Sequence, residues 1–273
     1  MGFWVLLCAC ALSFAFIQAL GIWLLVGVGC LFIAIELCFP DLVLPPRRHW
    51  YVRALAINLV QVAISRVGAA TWEVTAQRWV LLDSLSSAPW CTPMVGGALC
   101  YLAVTFVFYW WHRWRHESEL LWVLFHQLHH SPARLEALTS FYKAPLEIFV
   151  DSLLVAFIHY SLLGLGEEAM IYTSAFSVYG ELLYHMNIRT PVALGYFFQR
   201  PEMHRIHHLR DSQYLSKNYS DLPLWDIVFG VSGCDFEGWR TSALVRCPPP
   251  PTHTHTYPSR PPAPPRLPSA TDI

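Results

Sequence analysis

Residues 95–116 read VGGALCYLAVTFVFYWWHRWRH, and this stretch decides the fold. Its first part, residues 95–111, carries no charged side chain and predicts an apolar helix close to the length of about 20 residues that crosses a membrane. Its second part places His112 and His116 four residues apart, on one face of the chain if it is helical. The stretch therefore predicts a membrane span with two histidines directly after it.

Further apolar helices lie on both sides of this one. Residues 3–38 carry no charge except Glu36 and predict either two short helices meeting near Gly21 or one long bent helix, of which we favour two. Others are expected at about 53–72, 146–163 and 168–184. The chain is 55% hydrophobic and 14% charged, whereas a soluble domain is about 25% charged. The sequence thus predicts a mainly α fold, a multi-pass transmembrane helical bundle with a cytoplasmic histidine-box cap.

Three regions follow from this pattern. We predict an N-terminal transmembrane region at 1–97, a region at 98–238 that the family resemblance described below implies to be catalytic, and a Pro-rich disordered tail at 239–273. Ten prolines lie in the 28 residues from Arg246 onward. The net charge of −1 provides no basic field, so no nucleic-acid partner is expected.

The distribution of Lys and Arg predicts the orientation. If the helix ends alternate between two sides, the segments 41–53, 112–143 and 185–247 share one side and hold 14 Lys and Arg residues, against Arg78 alone on the other. Positive residues collect on the cytoplasmic side of membranes. We therefore expect both termini and the histidines on the cytoplasmic face of the endoplasmic reticulum, or of the inner membrane in a bacterium.

Histidines are concentrated in three boxes on that side, one HxxxH and two HxxHH, joined by one histidine after the last predicted span. The predicted metal ligands are His112, His116, His126, His129, His130, His185, His204, His207 and His208. Neutral imidazole is the commonest metal ligand in proteins. Nine imidazoles exceed the needs of one metal and suit two metals with four or five each. The alternative, a set of surface histidines in solvated loops, accounts poorly for three spaced boxes.

These motifs resemble the membrane fatty acid hydroxylase/sterol desaturase superfamily over about residues 98–238. The resemblance rests on the boxes and their flanks at 109–116, 125–131, 184–187, 200–208, 218–219 and 224–230. It implies a non-haem site with two iron ions, held by the nine histidines, that activates O₂ to hydroxylate or desaturate a lipid acyl chain or sterol. Zinc has no redox chemistry, which also favours iron. Many relatives carry an acidic residue shortly before the first box, where this chain has Thr105 and Val107.

The sequence contains no visible flavin or haem motif, so the two electrons for O₂ are expected from an external donor, a small haem or iron–sulfur protein. A histidine-rich metal transporter and a non-catalytic homologue are the alternatives. Outside the boxes, His159 is expected to make a polar packing contact. Asp226 either orients a metal ligand or caps a short helix. Four tryptophans, Trp110, Trp111, Trp114 and Trp122, are expected in an interfacial belt.

Overall fold

The computed structural model describes residues 2–76, 80–81, 83–209 and 216–232. Within these residues the chain forms helices and no strand, which confirms the mainly α prediction. The predicted Pro-rich tail, 239–273, lies outside the described residues, as do Arg78 and Arg210.

Ten α-helices are described. They are α1 (Gly2–Leu20), α2 (Ile22–Cys38), α3 (Trp50–Ala76), α4 (Asp83–Ser86), α5 (Pro93–Glu117), α6 (Glu119–Leu121), α7 (Pro145–Ala156), α8 (Glu167–His185), α9 (Pro201–His207) and α10 (Pro223–Val228). Wider π-helical turns continue α6 and α7 over Trp122–His126 and Phe157–Leu162. Two 3₁₀ turns, Ala137–Thr139 and Val192–Tyr196, lie in the loops.

The first apolar stretch forms two helices, as favoured from the sequence. Gly21 separates them with φ of +54°, a left-handed conformation that glycine adopts without steric cost. The two helices pack on α8 through an apolar core that includes Ile17, Phe32 and Leu182.

Three helical segments are long and apolar enough to cross a membrane, Trp50–Trp72, Pro93–Glu117 and Pro145–Leu162, while Gly2–Ile17 and Trp23–Cys38 are apolar but shorter. The helix predicted at 168–184 is α8. It falls outside this group, carries Glu168 and Glu181, and packs against α1, α2 and α5 inside the bundle. By length and hydropathy, the described residues therefore contain fewer candidate spans than the apolar helices predicted from the sequence.

Helices α5 and α8 pack closely against each other. A Cβ added to Gly97 would lie 2.5 Å from the Cβ of Tyr172, so only glycine allows this approach. Thr173 donates hydrogen bonds to the carbonyls of Gly97 and Ala169 at 3.3 and 3.1 Å. Because α5 ends in the first histidine box and α8 ends at His185, this contact fixes the relative positions of two groups of predicted ligands.

The loops after α2, α5 and α8 meet at one end of the bundle. The Ala137 N–H donates to Glu36 at 2.7 Å, and the Asp41 N–H donates to the carbonyl of Asn187 at 2.9 Å. Arg205 forms an ion pair with Asp41 at 2.9 Å. These contacts assemble a cap, residues 117–145 and 185–232 as far as described, on the end of the bundle where the histidine boxes lie.

Candidate metal centre

All nine predicted histidines come together at the end of the bundle that carries the cap. They form a five-histidine cluster (His112, His116, His126, His130 and His207) and a four-histidine cluster (His129, His185, His204 and His208). Within each cluster the potential ligand atoms lie within 4.8 Å of one another. The two clusters touch, since the rings of His130 and His208 stack with centroids 4.2 Å apart. That the clusters hold metal stays a prediction.

The Nε2 atoms converge in both clusters. In the five-histidine cluster the Nε2 of His112 lies 2.9 Å from that of His126 and 3.1 Å from that of His207. In the four-histidine cluster the Nε2 of His185 lies 3.1 Å from those of His129 and His204. Two ligands at right angles on a metal with bonds of about 2.1 Å would be roughly 3 Å apart.

Each HxxHH box divides between the clusters, although the sequence suggested that one box could serve a single point. His126 and His130 enter the five-histidine cluster and His129 the other. In the third box, His204 and His208 enter the four-histidine cluster and His207 the five-histidine cluster. Pairs four residues apart therefore stay together, while the histidine between them crosses to the second cluster.

The partners of the Nδ1 atoms indicate which tautomer of the histidines is present. The Nδ1 of His112 lies 2.7 Å from the carbonyl of Tyr219, and the Nδ1 of His207 lies 2.7 Å from the carbonyl of Lys217. The Nδ1 of His185 lies 2.8 Å from the carbonyl of Glu181. A carbonyl only accepts, so the proton sits on Nδ1 and a neutral ring directs an Nε2 lone pair into the cluster.

Burial keeps these rings neutral. It lowers the pKa of His207 to about 3 and lowers the pKa of His204 and His208 well below the usual range, with neighbouring imidazoles adding to the shift for the latter two. Lone pairs about 3 Å apart repel unless a cation lies among them. The donor set therefore fits two metal ions, and its neutral nitrogens suit iron.

A comparison with protein families identifies the region that carries the histidines. The model of the fatty acid hydroxylase family matches residues 97–231, which include all nine histidines. The chain belongs to the membrane fatty acid hydroxylase/sterol desaturase superfamily.

Its curated relatives in this superfamily include alkylglycerol monooxygenases. The human protein is 33% identical over 153 residues, which is 54% of this chain and 32% of the relative. The Danio rerio protein is 34% identical over 141 residues (49% and 29%), and the Xenopus tropicalis protein 29% over 158 residues (54% and 32%). The match thus spans about a third of the length of these relatives. No solved structure matches the chain significantly.

Glu147 is a residue of the centre that the sequence analysis missed. Its Oε1 lies 2.9 Å from the Nδ1 of His126 and also binds Arg115. The carboxylate is fully buried in the first turn of α7. It fixes the tautomer of His126 as the carbonyls fix the others, and such partners orient metal ligands. The signal available in the sequence was an acidic residue after Pro145, at the start of an apolar helix.

Asp226 supports the centre through the backbone instead of contacting a histidine or capping α10. Its carboxylate oxygens accept hydrogen bonds from the N–H groups of Tyr219 and Ser220 at 2.7 and 3.0 Å. The carbonyl of the same Tyr219 binds His112. Of the two alternatives predicted for Asp226, the structure shows no cap, and the carboxylate acts on the orientation of His112 through Tyr219 without touching the ring.

A small cavity lies against both clusters. It measures about 30 Å³, which is roughly the volume of one water molecule in the liquid. Histidines from each cluster line it, among them His126 and His185, together with the side chains of Thr105, Lys143 and Asp221. The cavity therefore borders histidines of both clusters.

Other predicted residues fall outside the clusters. The Nε2 of His159 lies 3.0 Å from the carbonyl of Gly166, the expected polar packing contact. Trp122 departs from the expected belt, because its ring packs on His130 with centroids 5.2 Å apart. Trp111 donates to Asp151 at 2.8 Å, and Trp114 is half exposed. Thr105 accepts a hydrogen bond from Trp225.

Proposed function

We propose that this membrane protein is an O₂-dependent oxidoreductase that hydroxylates a lipid at a dinuclear iron site. The observation that carries the proposal is the convergence of nine buried imidazoles into two touching clusters, with four Nδ1 atoms held so that Nε2 lone pairs face one another. Each cluster would hold one iron. The metal supplies the redox chemistry and O₂ activation that an unreactive C–H bond requires.

The residues of the chain do the positioning. Glu147 and the carbonyls of Tyr219, Lys217 and Glu181 hold four imidazoles in the tautomer that binds metal. Burial of the clusters excludes water, which strengthens electrostatic interactions inside the site. The cavity against both clusters has room for a molecule the size of O₂.

Relatives named as monooxygenases favour hydroxylation over desaturation. Their name makes alkylglycerols the first substrate class to test, with fatty acyl chains and sterols next. The two electrons come from an external donor, for which a small haem or iron–sulfur protein is the proposed class. The site faces the cytoplasm, on the endoplasmic reticulum in a eukaryote.

The test is purification of the full chain in detergent without chelators, followed by metal analysis and turnover of an alkylglycerol under ¹⁸O₂ with a chemical reductant. We expect two irons per chain and one labelled oxygen atom in the oxidised lipid. A metal content reliably below one per chain with full activity would contradict the dinuclear site. Absence of labelled product from alkylglycerol, acyl and sterol substrates, with both irons bound, would contradict the oxygenase.

A metal transporter is less well supported. Among the described residues the only groups of three or more His, Cys, Asp and Glu side chains with converging ligand atoms are these two clusters, which touch each other at one end of the bundle. They do not form a series along the spans. Metal flux into proteoliposomes that depends on the nine histidines would favour the transporter.

A further inference from the structure

A second cavity lies between the start of α3 and the cap, outside the metal centre, and is lined by arginines. It has a volume of about 300 Å³, room for about ten water molecules. Its lining includes Arg47, Trp50, Arg53, Ser131, Arg134 and Tyr142. No acidic side chain lines it. We call it the arginine cavity.

Two of its three guanidinium groups have no acidic partner. Arg134 is neutralised by Glu136, to which it donates at 2.8 and 2.9 Å, and is held further by Tyr51 at 3.1 Å. Arg47 and Arg53 form no ion pair with any described carboxylate. The cavity therefore carries a net positive charge on two exposed side chains, beside a third that is fixed in place.

The walls of the cavity suit a group at the membrane surface. Trp50 begins α3, a candidate span, and its ring lies 5.3 Å from that of Tyr142. Both rings are buried, so they form a fixed wall at the end of this candidate span, the level at which lipid head groups lie. Guanidinium groups bind phosphate through paired hydrogen bonds.

One wall of the cavity belongs to the chain segment that directly follows the second histidine box. Ser131 lines it and directly follows His130, a member of the five-histidine cluster. A ligand whose anionic group occupied the cavity would thus lie next to the cap segment that carries the second histidine box.

We propose that the arginine cavity binds the phosphate of a lipid head group, so that the substrate is a phosphate-bearing lipid. This proposal rests on the proposed function, because it names the substrate class of that same site. Arg47 and Arg53 supply the charge that discriminates a phosphorylated lipid from its neutral counterpart.

The test compares 1-O-octylglycerol 3-phosphate with 1-O-octylglycerol, by equilibrium binding to the metal-loaded full chain in detergent without O₂ or reductant. We expect the phosphorylated lipid to bind at least about tenfold more tightly, the scale of one charged hydrogen bond. The Arg47→Gln/Arg53→Gln variant should lose this preference. Both side chains are exposed, so its metal content should stay unchanged.

The matched control is Arg48→Gln/Arg189→Gln, which removes the same charge from two exposed arginines that do not line the cavity. It should keep the preference. Equal binding of the two lipids to the unaltered chain, or a preference that survives in Arg47→Gln/Arg53→Gln, would overturn the proposal. So would loss of the preference in the control, since it would indicate a general surface charge effect.

Glycerol 3-phosphate and inorganic phosphate distinguish the source of the phosphate. Both should bind more weakly than the octyl compound; equal affinity would mean a site for free phosphate and overturn the lipid assignment. Because binding is measured without turnover, the binding result does not depend on whether the protein oxidises lipids, so the two proposals can fail independently. A phosphate preference with no oxidation of either lipid would refute the oxygenase, whereas oxidation without a preference would refute the arginine cavity.

Discussion

His129 and His207 are the histidines that cross between clusters. Each is the second of the three histidines in an HxxHH box whose other two histidines belong to the other cluster. Replacing either by alanine should reduce lipid oxidation by more than about 100-fold, beyond the effect usual for an outer partner of a metal ligand. The neighbouring histidines belong to the other cluster and cannot substitute. The measurement is product formed per molecule of membrane protein.

The control for these variants is His159→Ala. His159 is equally buried, but it contacts the carbonyl of Gly166 and belongs to neither cluster. It should retain most of the turnover, and all three variants should still insert, because insertion depends on the apolar helices. Full activity in the His129 or His207 variant, or an equal loss in the His159 variant, would contradict the assignment of ligands.

A substitution of Glu147 tests whether the two clusters lose metal independently. Glu147→Gln keeps the volume but removes the charge that Arg115 and His126 share. Loss of such a partner costs roughly 10–100-fold in metal affinity. Since Glu147 contacts the five-histidine cluster alone, we expect metal content to fall from two towards one per chain during challenge with a chelator.

Asp151→Asn is the matched control, one turn further along α7. Its carboxylate accepts from Trp111 and contacts none of the nine histidines through a described hydrogen bond. This variant should keep both metals under the same challenge. Equal retention of metal by the Glu147 variant would show that Glu147 does not stabilise the cluster.

Among the elements, α10 and the turn before it determine the orientation of His112. The Asp226→Asn change replaces one carboxylate oxygen with an amide that cannot accept from a backbone N–H. One of the bonds to Tyr219 and Ser220 is then lost, and the Tyr219 carbonyl that fixes His112 shifts. We expect activity to fall by about tenfold, the lower end of the range for outer partners.

This effect is measured as turnover in comparison with Asp41→Asn, whose carboxylate forms an ion pair with Arg205 and makes no described hydrogen bond to any of the nine histidines or to their carbonyl partners. The Asp41 variant should be close to the unaltered protein, because partly exposed ion pairs contribute little. Unchanged turnover of Asp226→Asn would show that the turn holds its conformation without the carboxylate.

The helices also show where residue spacing in the sequence no longer predicts which histidines lie together. Helical spacing correctly grouped His112 with His116, because α5 continues through both and ends only at Ser118, whose backbone is extended. It did not predict the division of the other boxes. The chain at Trp122–His126 widens into a π-helix, and His208 lies just past the end of α9, so neither box is a regular α-helix throughout.

At the scale of the whole molecule, the features that could be predicted were those visible in contiguous sequence, namely apolar runs and histidine motifs. The apolar runs predicted the helices, Gly21 the break between the first two, and the boxes the nine histidines that meet in the cap. Glu147 and the arginine cavity were not predicted, because each depends on contacts between distant segments. Glu147 lies 21 residues from His126 in sequence.

The orientation of the bundle is the remaining prediction at this scale. Every described Lys and Arg except Arg66 lies at the end of the bundle that carries the cap or in the cap itself. The opposite end holds the start of α5 and the start of α8, near the end of the π-turn after α7. Positive residues resist transfer across the membrane. The cap should therefore face the cytoplasm, where an external electron donor and the interfacial lipid are both within reach.

Single cysteines introduced by Arg189→Cys in the cap and Ser87→Cys at the opposite end test this, in a chain whose eight native cysteines are replaced by alanine. A membrane-impermeant maleimide added to sealed vesicles with their cytoplasmic side outward should label position 189 at once. Position 87 should be labelled only after detergent opens the vesicles. The reverse pattern would invert the bundle, place the histidine clusters on the lumenal or outer side, and contradict both the charge argument and a cytoplasmic electron donor.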